Sequence, residues 1–466
     1  MEQLPLTNMQ GNNIMIDQEN EAERYMSNLN LTKDRLGPVM FRFTVPFFFS
    51  TLLQTLYGTV DTFAVGKFAT TASVSAVATG AQVLSLMTFL AYGLSTGATV
   101  LLGQAVGAGD EKRSARIVGN SIIDFSLISL LFLVLMLLLY PLMLRLLNIP
   151  PEAEKEARAY CLICTFGIPL IIGYNTVGAI LRAIGDSKRP LLFVAVACVF
   201  NIVGDFVLTG VFKMGAAGVA IATIAAQGIS FIYSLLYIMK KGMGFAFHVS
   251  DIRVDKETTL QIFKVGLPMG LQSILVNLSF MFITAIINAM GLSASAAMGI
   301  GDKIINIAFL IQNSVSAALS IVVAQNFGAG NYERASAAVK MSIAVCVIIE
   351  LLFCVFCELK PHVFPSLFTN DMEVIDMAGR YMMAYSIDGV LTSISFCLSG
   401  YLNGCGRTTS NMIQNLIATF LGRVPATFLF SRLPNTNLFL IGLAAPVSTL
   451  LSIVMLIFIL KKGSRT

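Results

Sequence analysis

From residue 38 onward the chain alternates between long apolar runs and short breaks rich in polar residues and glycine. The runs fall at 38–65, 74–102, 116–141, 159–181, 190–211, 217–239, 260–289, 294–325, 336–357, 377–403, 409–430 and 437–460. At about 1.5 Å per helical residue each can cover a hydrocarbon core roughly 30 Å thick, and the longer ones require tilt. Strands of a membrane barrel would alternate apolar and polar positions over about ten residues, a pattern these runs do not follow. The expected fold is therefore an all-α polytopic membrane protein with twelve transmembrane helices. The runs at 74–102 and 294–325 carry the weakest signal, because Gly and Ser dilute them.

The chain also repeats itself. Gln104-Ala-Val-Gly107-Ala108-Gly109-Asp110 returns as Gln325-Asn-Phe-Gly328-Ala329-Gly330-Asn331, an offset of 221 residues. The same offset maps Arg113 onto Arg334, Gly185 onto Gly406, Gly80 onto Gly301 and Ala76 onto Ala297, and Pro46 meets Pro268 one residue out of step. Each repeat holds six spans, so the halves share one membrane orientation. Two parallel-repeat six-helix bundles follow, an arrangement that places a central cleft between lobes. The expected divisions are a cytoplasmic N-terminal segment at 1–36, an N-lobe at 37–239, a cytoplasmic linker at 240–257, a C-lobe at 258–460 and a cytoplasmic tail at 461–466.

Composition narrows the class further. Of 466 residues 56% are hydrophobic and only 12% charged, too few to clothe a soluble protein of this length. Mean hydropathy is +0.78. There are 33 Phe and no Trp, so Tyr must anchor the membrane interfaces. Lys and Arg number 19 on the side of the termini and the 240–257 linker and eight on the other side, which predicts that both termini are cytoplasmic in a multi-pass cell-membrane protein. The first residues are polar and acidic, unlike a cleaved signal peptide. The net charge of +5 is not gathered into a dense cluster, so no nucleic-acid partner is expected.

Candidate chemistry lies in polar residues inside the spans, each costly unless paired or wetted. The first half supplies Asp61, Asp124 and Asp205, with Asn201 one helical turn before Asp205. The second half supplies Lys303, Glu350 and Asp388; Asp302 adjoins Lys303 in sequence, so the two do not face each other on one helix. Asp205 with Asn201 is either a structural pair between helices or a site that loads a proton or ligates Na⁺. Asp61 can equally be a span terminus in solvent, Glu350 can be structural or functional, and Lys303 can serve to neutralise a carboxylate. Cys161-x-x-Cys164 and Cys354-x-x-Cys357 sit on apolar helices without flanking His and read as small buried hydrophobes. Gly107-Ala-Gly109 and Gly185-Asp186 follow neither a P-loop nor a dinucleotide pattern, so no nucleotide drives the protein and no cofactor or enzymatic activity is expected. An ion gradient remains as the energy source, worth about 2.3 kcal/mol per charge per 100 mV.

Several segments resemble the multidrug and toxic compound extrusion (MATE) family, in its bacterial form. They are Gln54-Thr-Leu-Tyr-Gly-Thr-Val-Asp61-Thr-Phe-Ala-Val-Gly66, Thr96 to Gly109, Leu181-Arg-Ala-Ile-Gly185-Asp186-Ser-Lys-Arg-Pro190 and Asn201-Ile-Val-Gly-Asp205. The resemblance covers about residues 35–460. It implies export of organic cations or drugs by H⁺ or Na⁺ antiport, with Asp61, Asn201, Asp205 and Thr223 forming the coupling site and Na⁺, if used, held by Asp61, Asn201 and Asp205. Some family members use a C-lobe glutamate in helix seven with an aspartate in helix ten. Here the stretch after Pro268 has no acid, leaving Glu350 and Asp388 as possible auxiliaries. The implied partners are amphipathic or cationic small molecules and membrane lipid, with the protein acting as a monomer. A lipid or polysaccharide-precursor flippase would share the two-lobe plan, and the scarcity of Lys and Arg within the spans speaks against it.

Overall fold

The structure, a computed structural model, describes residues 30–434 and 436–463. Residues 1–29 and 464–466, with Arg24 and Arg465 of the charge count, lie outside the described residues. Among the described residues twelve helices are long and apolar enough to cross a membrane. In chain order they are α1 (Leu36–Phe68), α2 (Thr71–Gly107), α3 (Glu111–Leu146), α4 (Pro151–Ala183), α5 (Lys188–Val211), α6 (Gly215–Lys241), α7 (Lys256–Asn288), α8 (Leu292–Gly328), α9 (Tyr332–Leu359), α10 (Met372–Gly404), α11 (Thr408–Ser431) and α12 (Leu438–Lys462). Every expected span has its helix, including the two diluted ones.

Local chemistry sets the helix ends. The Thr70 hydroxyl accepts from the Ser73 amide at 3.2 Å, and Asp110 accepts from Arg113 at 2.9 Å, each satisfying a donor of a first helical turn. Gly109, Gly185, Gly330 and Gly406 close α2, α4, α8 and α10 with φ of +70°, +96°, +73° and +76°, a left-handed conformation that a Cβ disfavours. These are two pairs at the 221-residue spacing. The recurring glycines are thus helix stops.

Packing obeys the same pseudo-symmetry. In the first lobe α2 packs on α4, α4 on α3 and α6, and α6 on α5, which lies against α1. The second lobe repeats this with α8, α10, α9, α12, α11 and α7. A Cβ on Gly80 would run into the Tyr160 ring, and one on Gly301 would run into Tyr381, residues again 221 apart. Outward faces such as Leu127, Leu130, Leu131 and Leu138 on α3 stay exposed, as a lipid-facing surface must.

The lobes join through α2 against α7, α1 against α8, and α2 against α8. At one end the junction is sealed by a symmetric pair of hydrogen bonds. Gln104 Nε2 donates to the Gly404 carbonyl at 3.0 Å, and Gln325 Nε2 donates to the Ala183 carbonyl at 2.8 Å. A side chain on Gly107 would strike the Gln325 backbone, and one on Gly328 the Gln104 backbone, so glycine is required for this approach. Gly93 and Gly97 meet Gly270 and Gly266 in the same way, letting α2 and α7 touch backbone to backbone.

The connection from α6 to α7 is docked. Asp255 N donates to Asn120 Oδ1 at 2.7 Å, Asn120 Nδ2 donates to Asp124 at 2.7 Å, and Thr259 Oγ1 donates to Asp124 at 3.0 Å. Thr258 Oγ1 donates to the Asp255 carboxylate at 2.6 Å and holds it below the usual carboxylate range. On the other lobe the Leu31 carbonyl accepts from Asn326 at 3.1 Å and from Arg334 at 3.3 Å, and Arg334 also reaches the Asp34 carbonyl. Each lobe is therefore clasped by the segment that leads into a helix packed across the junction.

Candidate functional site

The chain brings four of the expected residues together inside the first lobe. Asp61 comes from α1, Asn201 and Asp205 from α5, and Thr223 from α6. The Asp61 carboxyl lies within hydrogen-bonding reach of Asp205, Asn201 and Thr223. Asn201 Nδ2 donates to Thr223 Oγ1 at 3.3 Å. Asp205 is wholly buried and Asn201 nearly so. Immediately after Asp205 the helix widens into a π-turn at Phe206–Val211, a local deformation often found where a helix carries a site.

The cluster has more acceptors than donors. Asp61 Oδ1, Asn201 Oδ1 and both Asp205 carboxylate oxygens are buried without a hydrogen-bond partner among the described residues. When both carboxyls are ionised, neither can donate to the other, although they adjoin. A shared proton, a cation or an ordered water would satisfy them, since buried acceptors left unpaired cost roughly 1–3 kcal/mol each. The donor set is all oxygen, as a hard cation or a proton requires. Among the described residues no group of three His, Cys, Asp or Glu side chains gathers in the manner of a transition-metal site.

The second lobe is built differently. Asp388 on α10 accepts from Thr449 Oγ1 at 2.6 Å and adjoins Thr392 and Arg423. Arg423, in the last turn of a π-segment at Ala418–Arg423, donates to the Tyr385 hydroxyl at 3.0 Å and stacks 4.5 Å from the Phe280 ring centroid. Asp302 accepts from the Tyr381 hydroxyl at 3.1 Å and also feels Arg423. At the Pro46–Pro268 spacing Asp61 corresponds to Ile283, Asp205 to Thr427 and Asn201 to Arg423. This lobe therefore carries its own fixed cation where the first lobe has an amide. Lys303, read from sequence as a possible neutraliser, is exposed and forms no ion pair among the described residues. Arg423 fills that role, and its adjacency to Asp388 and Asp302 exists only in three dimensions.

Glu350 lies apart from Asp388's network. It is buried on α9 beside Gln312, whose amide donates to the Gly389 carbonyl at 3.0 Å, and its Oε2 has no hydrogen-bond partner among the described residues. The structure thus does not join Glu350 and Asp388 into one site. Asp124, an intramembrane acid from sequence, is engaged in docking the α6–α7 connection.

Between the lobes lie two adjoining cavities of about 320 and 180 Å³. Both are lined by Phe47, Tyr92, Asn175, Arg182, Asn313 and Ala317. Tyr92, Thr96 and Thr99 share one face of α2 with Gln82, which is exposed; Asn313, Ala317 and Ser320 share one face of α8 with Lys303. Arg182, counted from sequence with the charged loop before α5, belongs to the last turn of α4 and lines both cavities.

Comparison with known proteins agrees with this architecture. The MatE family model matches residues 46–207 and 268–429, one segment in each repeat. The chain is 27% identical over 407 residues to the probable multidrug resistance protein YpnP of Bacillus subtilis (strain 168), covering 87% of this chain and 91% of that one. It is 23% identical to the multidrug export protein MepA of Staphylococcus aureus (strain MSSA476), covering 86% and 88%. Among solved structures, an outward-facing conformation of a multidrug resistance MATE family transporter of the MOP superfamily superposes with a TM-score of 0.88 at 21% identity, covering 94% of this chain and 99% of that one.

Proposed function

The chain belongs to the MatE family, and from that premise we propose that it is a secondary antiporter, exporting amphipathic or cationic small molecules in exchange for H⁺ or Na⁺. The observation that carries this reading is the set of four buried, donorless oxygens shared by Asp61, Asn201 and Asp205. A carboxyl pair removed from water repels itself unless a proton or cation enters, so the site alternates naturally between loaded and empty states. Asp61 sits on α1, which also supplies Phe47, Ser50, Thr51 and Gln54 to the cavity wall, so loading the lobe biases the same helix that faces the exported compound. Opposite preferences of ion and compound for the two arrangements of α1 are what exchange requires, because equal affinity shifts nothing. In the second lobe Arg423 supplies a permanent positive charge to Asp388 and Asp302, which favours the first lobe as the place of exchange. The protein is taken to act as a monomer with both termini in the cytoplasm.

Purified protein in liposomes, given an imposed pH or Na⁺ gradient and a fluorescent cationic dye, tests the proposal. Gradient-driven dye movement that is lost in Asp61→Asn and Asp205→Asn supports it. Wild-type rates in both variants would sink it and move attention to Glu350 and Asp388.

A further inference from the structure

The inter-lobe cavity is lined by positions that pair across the 221-residue repeat. Tyr92 faces Asn313 in this sense, Thr99 is matched by Ser320, and Ser95 by Ser316. At each of these both partners are neutral. The pairing breaks at the base of the cavity, where Arg182 of α4 corresponds to Asn403 of α10. One lobe thus places a full positive charge on the cavity wall with no counterpart in the other.

Arg182 has no anionic partner. Among the described residues its side chain forms no ion pair and no hydrogen bond, and the charged or titratable groups it feels are Tyr92 and Tyr174. Its guanidinium lies 5.6 Å from the Phe47 ring centroid, and Gly178 leaves it room, since a Cβ there would sit 3.2 Å from Nη1. Neither cavity has a carboxylate in its lining. A structural role as a helix-end cation accounts for little: the dipole of α4 offers a partial charge, whereas a guanidinium withdrawn from bulk water needs a full counter-charge.

We propose that Arg182 is the anion-recognising group of the export cleft, and that favoured substrates carry a carboxylate or similar anionic group on an aromatic body, zwitterions included. The planar guanidinium matches a carboxylate with two parallel N–H donors. Phe47, Tyr92, Tyr174 and Phe193 supply faces for an aromatic body, and Asn175 and Asn313 supply neutral polar contacts. The volume of about 320 Å³ suits a small drug-sized molecule. This inference rests on the cleft being the substrate path of an exporter. An anionic lipid headgroup offers the same chemistry as a carboxylate compound, and the experiment separates the two.

Full-length protein in phosphatidylcholine nanodiscs is titrated, without any gradient, with the zwitterionic dye rhodamine B and with its ethyl ester, which differ in the free carboxylate. Wild type is expected to bind the acid roughly tenfold more tightly than the ester, the scale of one charge-assisted hydrogen bond. Arg182→Gln should erase that difference, and Arg182→Lys should retain part of it. Adding phosphatidylglycerol to the nanodisc identifies the source: competition with the acid that depends on Arg182 makes the headgroup a natural occupant, and no competition leaves the exported compound. Equal affinity of wild type for acid and ester overturns the proposal without recourse to any variant, as does an acid preference that persists in Arg182→Gln. Because the assay reads equilibrium binding, it can fail while gradient-driven transport stands, and the reverse.

Discussion

Replacing Asp205 with Asn distinguishes a coupling site from a structural hydrogen-bond pair by the sign of its effect on stability. The substitution keeps the size of the side chain and removes its charge. In the native cluster Asp205 has two donorless oxygens and adjoins Asp61, whose Oδ1 is also unpaired. Two like charges about 4 Å apart repel by about 4 kcal/mol at an effective dielectric near 20. The asparagine amide removes that repulsion and can donate to Asp61, a charge-assisted bond worth roughly 1.5–3 kcal/mol. Wild type already relieves part of the strain by taking up its ion, so the net gain should be about 1–4 kcal/mol, largest in alkaline, Na⁺-free buffer. Thermal unfolding of the purified variant should therefore shift upward while gradient-driven dye efflux in liposomes falls at least tenfold. Stability gained with activity lost is the expected trade at a site held in an uncomfortable state for function. A variant that unfolds earlier than wild type would mean that Asp205 is a structural partner, and one that transports at the wild-type rate would remove it from the mechanism.

Arg423→Gln should lower stability by about 3 kcal/mol, because it strips the counter-charge from Asp388 and Asp302 inside the second lobe; denaturation in detergent measures it. Asp388→Asn, which keeps an acceptor for Thr449, should cost transport far less than Asp205→Asn in the same liposome assay. Gly107→Val or Gly328→Val should pry apart the glutamine-sealed junction, read as faster alkylation of a cysteine placed at position 99 in a background lacking the eight native cysteines. Single cysteines at the exposed positions 152 and 371 should react with an impermeant reagent from outside intact cells and those at 112 and 253 only after permeabilisation, whereas the reverse pattern would invert the assigned topology. Position 186 is unsuitable for that test, since Asp186 is buried against Arg189.

The twelve helices were legible in the sequence because spanning a membrane imposes a local rule. Each backbone donor must be satisfied within its own helix, so length and hydropathy suffice to find the segments. The repeat was legible because the helix-stop glycines and Gln104 and Gln325 kept their spacing, and a shared orientation of the halves follows from counting six spans. The convergence of Asp61, Asn201, Asp205 and Thr223 was accessible only through the resemblance of short motifs to a family. Nothing in their spacing brings helix one beside helices five and six. Tertiary structure alone decided the rest. Asp124 reads as an intramembrane acid, yet it is engaged in docking a connection, because Asn120 and Thr259 reach it only once α3 and α7 adjoin. Lys303, next to Asp302 in sequence, is exposed and forms no ion pair among the described residues, and Arg423 arrives from 121 residues further along the chain to take its place. Arg182 looks like one more basic residue at a loop, and its meaning changes when the lobes close around it: a charge is a solvated end or a recognition element according to which surfaces exclude water from it, and those surfaces come from helices distant in sequence.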